Sequence, residues 1–268
     1  MKYIESRTNP LIKETAKLKD RKYRDEKGLF LFEGIKLTKD FLSAGLLPET
    51  VFMTQKCLDD YPDIAKKVPV VAVSDPVCEK LSENSSPEGI ICVAKKSDIA
   101  HEYGNSICGP SLSPRLILSD IRDPGNLGTI IRTAYSFGCG SVILSENCAD
   151  VFNQKTVRAS MGALFKTTVL FSDDTVSAIK ALQNDGRKVY ATALHHDSVF
   201  IGEIQDRKNA CFILGNEGHG LSDDVINACD GTVLIPMIDG AESLNVSSAA
   251  TVILWESFAD KDRRTENK

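Results

Sequence analysis

The chain lacks several features that would assign its class at once. None of its apolar runs approaches the roughly 20 residues needed to cross a bilayer. The opening Met1-Lys-Tyr-Ile-Glu-Ser-Arg has no apolar stretch, so no signal peptide is expected. Eight cysteines are scattered without a single C-x-x-C pair. That spacing speaks against a zinc ribbon and a disulfide framework, and for reduced thiols in the cytoplasm. The four histidines, His101, His195, His196 and His219, have no matching ligand spacing, so no metal is expected. G-x-G-x-x-G is absent as well, and this weighs against a nicotinamide oxidoreductase built on the Leu116–Leu144 β–α–β unit. Internal repeats and low-complexity tracts are also missing.

What remains is the composition of a soluble globular protein, 42 % hydrophobic and 26 % charged over 268 residues. That length suits one large or two ordinary domains. The net charge of −5 argues on its face against a nucleic-acid partner. Its distribution does not: residues 1–40 hold 11 Lys/Arg against 7 Asp/Glu, a local net of +4, which leaves −9 for the rest. Arg7, Lys13, Lys17, Arg21, Lys22 and Arg24 are the candidates on this face to meet phosphates. The alternative is a solvated helix of mixed charge.

Asn9-Pro10 reads as a cap and first-turn proline opening one helix to about Tyr23. Short strands at 29–32, 51–53, 70–73 and 89–94 alternate with helices, giving a small α/β domain over residues 1–96. Residues 97–114 read as a linker. Longer strand–helix units then run over 115–260, implying a mostly parallel sheet covered on both faces, and 261–268 form a charged tail. The fold class expected is α/β throughout.

Three blocks follow apolar runs that read as buried strands. Asp123-Pro-Gly-Asn-Leu-Gly-Thr-Ile-Ile-Arg132 opens a helix, whose free N–H groups suit an anion. Asn126 is a polar residue at that start and Arg132 lies six positions on, so the two are candidates to border one cleft. Leu214-Gly-Asn-Glu-Gly-His-Gly-Leu221 sets Glu217 among glycines that allow close approach to a ligand. Glu217 reads as a ribose acceptor or an orienting group; its bland alternative is a helix cap. Ile235-Pro-Met237 and Ser243-Leu-Asn-Val-Ser-Ser248 lead into a strongly apolar helix, with Ser243 or Asn245 as cap. Polar, glycine-bearing loops at three strand ends are more simply one site than three turns.

In order, spacing and polar residues the triple resembles the three motifs of the SpoU/TrmH-type RNA ribose methyltransferases, a branch of the knotted SPOUT superfamily. The resemblance covers about 115–258, and residues 1–95 look like the ribosomal-protein-like substrate-binding domain often fused before it. It implies a deep trefoil knot, a homodimer, no metal, and transfer of methyl from S-adenosylmethionine to a ribose 2′-hydroxyl of RNA, ribosomal RNA favoured over transfer RNA. By residue it implies catalytic roles for Asn126, Arg132, Glu217, Ser243 and Asn245. Leu214, Gly215, Asn216, Gly218, Ile235, Met237, Leu244 and Asn245 would hold the cofactor. Arg158, in Arg158-Ala-Ser160-Met-Gly, would lie near the RNA. The family's proposed base is Arg132, yet a guanidinium with pKa above ~12 is a poor base, so the electrostatic role is preferred and the base left open. Leu221, Val246, Ile253 and Trp255 are expected partly at the dimer interface, and a fragment from Ser113 is expected to fold alone. A transfer-RNA methyltransferase and a non-catalytic RNA-binding or assembly factor are the alternatives.

Overall fold

The structure is a computed structural model that describes residues 2–102, 113–193, 197–238 and 243–259. His195, His196, the middle of the expected linker and the expected tail lie outside the described residues. The chain divides into two compact units, one of Met1–Ile99 with Asp150–Lys166, the other of Ala100–Ala149 with Thr167–Lys268.

The elements of the first stretch are β1 (Lys2–Ile4), α1 (Pro10–Lys17), α2 (Arg21–Lys27), β2 (Leu29–Glu33), α3 (Ile35–Ser43), β3 (Thr50–Thr54), α4 (Gln55–Asp60), α5 (Pro62–Ala65), β4 (Val70–Val73), α6 (Asp75–Leu81) and β5 (Ile90–Lys95). Their sheet runs β1-β4-β3-β5-β2, parallel between β1, β4 and β3 and antiparallel at β5. The helix expected from Asn9 to Tyr23 is two helices. Asn9 caps α1 through the Leu11 N–H at 2.9 Å, and Asp20 caps α2 through the Tyr23 N–H at 3.2 Å. A second capping side chain in mid-pattern restarts the ladder, which periodicity alone cannot show.

The second stretch carries β6 (Ala100–Glu102), β7 (Arg115–Leu118), α7 (Pro124–Ser136), β8 (Ser141–Ser145), α8 (Gln154–Ala159), β9 (Val169–Ser172), α9 (Thr175–Asn184), β10 (Val189–Thr192), β11 (Val199–Phe200), β12 (Cys211–Leu214), α10 (Asp223–Ala228), β13 (Gly231–Leu234) and α11 (Val246–Ala259). Eight strands form one all-parallel sheet in the order β11-β13-β10-β12-β7-β8-β9-β6. Leu116–Leu118, Val142–Leu144 and Phe212–Leu214 are at most 1 % exposed, which is why these strands read as unbroken apolar runs rather than alternating ones. The three-residue β6 falls inside the expected linker, where too few residues pair to leave a pattern.

Residues 150–166, placed by sequence with the second domain, belong to the first unit. Phe152 packs on Phe30 with ring centroids 4.9 Å apart, and Phe165 lies 5.1 Å from Phe32 and 5.0 Å from Phe41. Burying such rings is worth more than any local preference of this short segment. Arg24 sits in the same unit, 3 % exposed, so it is not a phosphate ligand: its guanidinium donates to Asp150 and to the Leu18 and Lys19 carbonyls.

Val246 and Ile253, expected partly at a dimer interface, are core residues at 7 % and 0 % exposure. Leu221 packs against the core beside Val225. Trp255 stays 47 % exposed, edge-on to Phe137 at 6.0 Å. The seven described cysteines are free, and burial pushes the Cys78 and Cys92 thiols up to about 12. Among the described residues no helix is long and apolar enough to cross a membrane.

Candidate active site

The three motif loops all leave the carboxyl ends of parallel strands of one sheet: the neighbours β7 and β12, and β13, which lies beyond β10. In a doubly covered parallel sheet that is where a ligand crevice forms. α7 begins at once because Asp123 accepts the Asn126 N–H at 2.8 Å and Pro124 occupies the first turn. Asn126 is therefore not the cap; it is inside the first turn, with its amide free for other work.

That amide joins the loops. Asn126 Nδ2 donates to Glu217 Oε1 at 2.9 Å, and Asn245 Nδ2 donates to Asn126 Oδ1 at 3.1 Å. One residue from each motif thus enters a single chain of hydrogen bonds. Glu217 is engaged here, not as the cap of α10, whose N-cap is Ser222. Asn245 has two tasks, since its Oδ1 also accepts the Ser247 N–H at 2.9 Å at the start of α11.

Arg132 joins no such pair. Six helical residues advance about 600°, leaving Arg132 about 120° around α7 from Asn126. It is exposed, and among the described residues its guanidinium has no side-chain partner.

Beside this trio lies a largely apolar pocket. Leu214, Gly215, Ile235, Met237 and Leu244 line it, as does Ser243. The sequence did not point to Thr192, Ala193, Gly220, Val233, Ala249 or Ile253 as cofactor residues, yet they line it too. For two of them the signal was positional: Thr192 ends β10, the strand between the motif-bearing β12 and β13, and Val233 lies next to the end of β13 itself. Asn216, Gly218 and Asn245 do not line the pocket. The Asn216 side chain braces its own turn, its Oδ1 accepting the Gly218 N–H at 2.8 Å and its Nδ2 donating to the Asp120 carbonyl at 2.8 Å. Gly215 is required by space, because a Cβ there would sit 2.6 Å from the Gly220 carbonyl carbon.

Of the remaining basic candidates, Arg7 pairs with Glu79 at 2.7 Å, Lys17 with Glu14 at 2.6 Å and Arg21 with Asp25 at 3.8 Å, all exposed. Lys13 and Lys22 are exposed with no side-chain partner among the described residues. Arg158 is exposed and donates to Asn84 Oδ1. Among the described residues no group of three His, Cys, Asp or Glu could hold a metal.

Residues 113–255 match the model of the SpoU rRNA methylase family, and residues 9–92 match the MRM3-like substrate binding domain. The chain belongs to the SpoU rRNA methylase family. It is 30 % identical to the 23S rRNA (guanosine(2553)-2′-O)-methyltransferase RlmP of Bacillus subtilis, over 95 % of this chain and 98 % of that one. It is 28 % identical to the human mitochondrial rRNA methyltransferase 3, over 93 % and 72 % of the two chains. The AdoMet-bound rRNA methyltransferase of Sinorhizobium meliloti superposes with a TM-score of 0.81 at 29 % identity, over 96 % and 97 %.

Proposed function

We propose that this protein transfers a methyl group from S-adenosylmethionine to a ribose 2′-hydroxyl of ribosomal RNA. The observation that carries the reading is the Asn245–Asn126–Glu217 chain, which draws the three motif loops together beside the pocket. Membership of the family and the rRNA substrates in the relatives' names support it.

The pocket fits such a cofactor. Apolar walls suit an adenine, and the bare backbone at Gly215 and Gly220 allows the close approach that main-chain recognition of a nucleoside needs. When bound, S-adenosylmethionine supplies an electrophilic methyl on a sulfonium sulfur. Leu214, Gly215, Ile235, Met237 and Leu244 would hold it, with Ser243 at the pocket edge. Asn126 spends one Nδ2–H on Glu217 and Asn245 one on Asn126, which leaves each amide a second N–H for ribose oxygens. Glu217 keeps the Asn126 amide in that orientation. Arg132, with no carboxylate partner among the described residues, would stabilise the oxyanion that develops as the hydroxyl attacks.

Lys13, Lys22 and Arg158 would grip RNA phosphates from the first unit, helped by Arg7, Lys17 and Arg21. Exposed ion pairs like theirs are weak enough for a phosphate to displace the carboxylate. We further propose a dimer through α7 and α11, where Tyr135 and Trp255 are each 47 % exposed, and a trefoil knot made as the chain returns from β13 to pack α11 on α7. Free thiols and an rRNA substrate fit the cytoplasm.

The test is transfer of labelled methyl from S-adenosylmethionine, without metal, to in-vitro transcribed ribosomal RNA and to the matching DNA. RNA alone should be labelled, and the labelled linkage should resist alkali, because its 2′-oxygen is capped. Binding should weaken steeply with salt. Equal labelling of DNA, or an alkali-sensitive linkage, would refute the reading.

A further inference from the structure

Asp120 stands between β7 and α7, at φ +59°, a conformation unfavourable for a residue with a Cβ. All of its polar groups are engaged. Its N–H donates to Ser145 Oγ at 3.0 Å, just at the end of the neighbouring β8. Its carbonyl accepts from Asn216 Nδ2 at 2.8 Å. Its carboxylate takes the Arg122 fork, Nε on Oδ1 at 2.9 Å and Nη2 on Oδ2 at 3.2 Å, and Oδ2 also lies 3.1 Å from His219 Nε2. Side chains at αL outside glycine are held there only when their surroundings over-determine them, and here these contacts do so.

Two of the Asp120 contacts reach the same turn. Asn216 and Gly220 close it with backbone bonds of 3.1 and 3.0 Å, and Asn216 Oδ1 ties down the Gly218 and His219 N–H groups at 2.8 and 3.3 Å. Asp120 therefore clasps both sides of the turn: Asn216 through its carbonyl, His219 through its carboxylate. Glu217 sits between those two anchor points, and its carboxylate meets Asn126, the third residue of the helix that Asp123 caps.

We propose that Asp120 is a positioning residue for methyl transfer: through His219 and Asn216 it sets the turn that delivers Glu217 to Asn126. This rests on the methyltransferase reading above. The carboxylate is the part of the clasp that a mutation can remove alone. Asp120→Gly keeps the N–H and carbonyl, relieves the φ and deletes only the carboxylate. Asp120→Asn keeps an acceptor and a residue type that tolerates αL.

The experiment compares these variants of the full chain by single-turnover methylation of in-vitro transcribed ribosomal RNA, with cofactor affinity measured by calorimetry. Misplacing a reacting group by about 1 Å costs up to about a hundredfold, so Asp120→Gly should lower the transfer rate by about ten- to a hundredfold. Its S-adenosylmethionine affinity should stay within about twofold and its melting temperature should not fall, because the strained φ is relieved. Asp120→Asn should restore most of the rate. Combined with Glu217→Gln, the loss from Asp120→Gly should fail to multiply, since both act through one contact. Amide exchange over residues 216–220 should speed up in Asp120→Gly whatever the substrate. A wild-type rate and unchanged exchange in Asp120→Gly would overturn the proposal, as would fully multiplicative losses with Glu217→Gln. A wild-type protein that labels no RNA would refute the methyltransferase reading instead, while exchange at 216–220 would still report on the clasp.

Discussion

Arg24 and Asp150, 126 positions apart, form a buried ion pair: Nη2 and Oδ2 are 2.5 Å apart, with side chains 4 % and 11 % exposed. The guanidinium also closes the Leu18 and Lys19 carbonyls at 2.8 and 2.7 Å, at the break between α1 and α2. Arg24→Met would strand a buried carboxylate and two carbonyls. Removing one partner of such a pair costs about 3–5 kcal/mol, and the denaturant midpoint should fall accordingly. A variant with unchanged stability but weaker RNA binding would return Arg24 to the RNA-binding face.

Asn126→Ala and Arg132→Ala should each lower turnover far more than S-adenosylmethionine affinity, because both are assigned to the ribose. Arg132→Lys should remain poor, since an ammonium does not reproduce the planar fork. Asn245→Ala should lose activity and in addition about 1 kcal/mol of stability, because the same side chain caps α11. Rates and melting curves on the four variants separate these effects. An Arg132→Ala enzyme near wild-type rate, with Arg158→Ala inactive, would reverse the roles of the two arginines.

Gly215→Ala should damage the cofactor pocket specifically. Its Cβ would meet the Gly220 carbonyl carbon at 2.6 Å and oxygen at 2.7 Å, and backbone cannot step aside as a side-chain tip can. The turn must open, so calorimetry should show cofactor affinity down by tenfold or more, on the order of 1.4 kcal/mol. Gly186, with nothing within 4 Å of its Cβ position, is the control for space, although its φ of +82° makes alanine strained there.

A fragment beginning at Ser113 should not behave as an independent domain. It would carry Phe152 without Phe30, Phe165 without Phe32 and Phe41, and Asp150 without Arg24. The resulting apolar patch should drive association, so sedimentation should show aggregates. A discrete, cofactor-binding dimer from this fragment would mean that residues 150–166 can pack without the first unit.

The sequence by itself determined the strands of four or more residues in the second unit, the order of the three motif loops, and that Asn126, Glu217 and Asn245 belong to one site. Those features are local: four-residue apolar runs buried on both faces, and polar or glycine residues at their exits, need no knowledge of what lies across the sheet. It did not show the break after Lys17, where Asp20 competes for the helix start. It left unseen the two- and three-residue strands β1, β6 and β11, too short for any period. Only the tertiary structure decided that residues 150–166 complete the first unit, that Arg24 is buried, and that Asp120 clasps the Glu217 turn. Each of these depends on a partner distant in sequence: 96 residues for Asn216 with Asp120, 126 for Arg24 with Asp150, and the rings of Phe30, Phe32 and Phe41 for residues 150–166. Which distant carboxylate, carbonyl or ring closes on a side chain is settled by the lowest free energy of the whole packed chain, and spacing along the sequence holds no record of it.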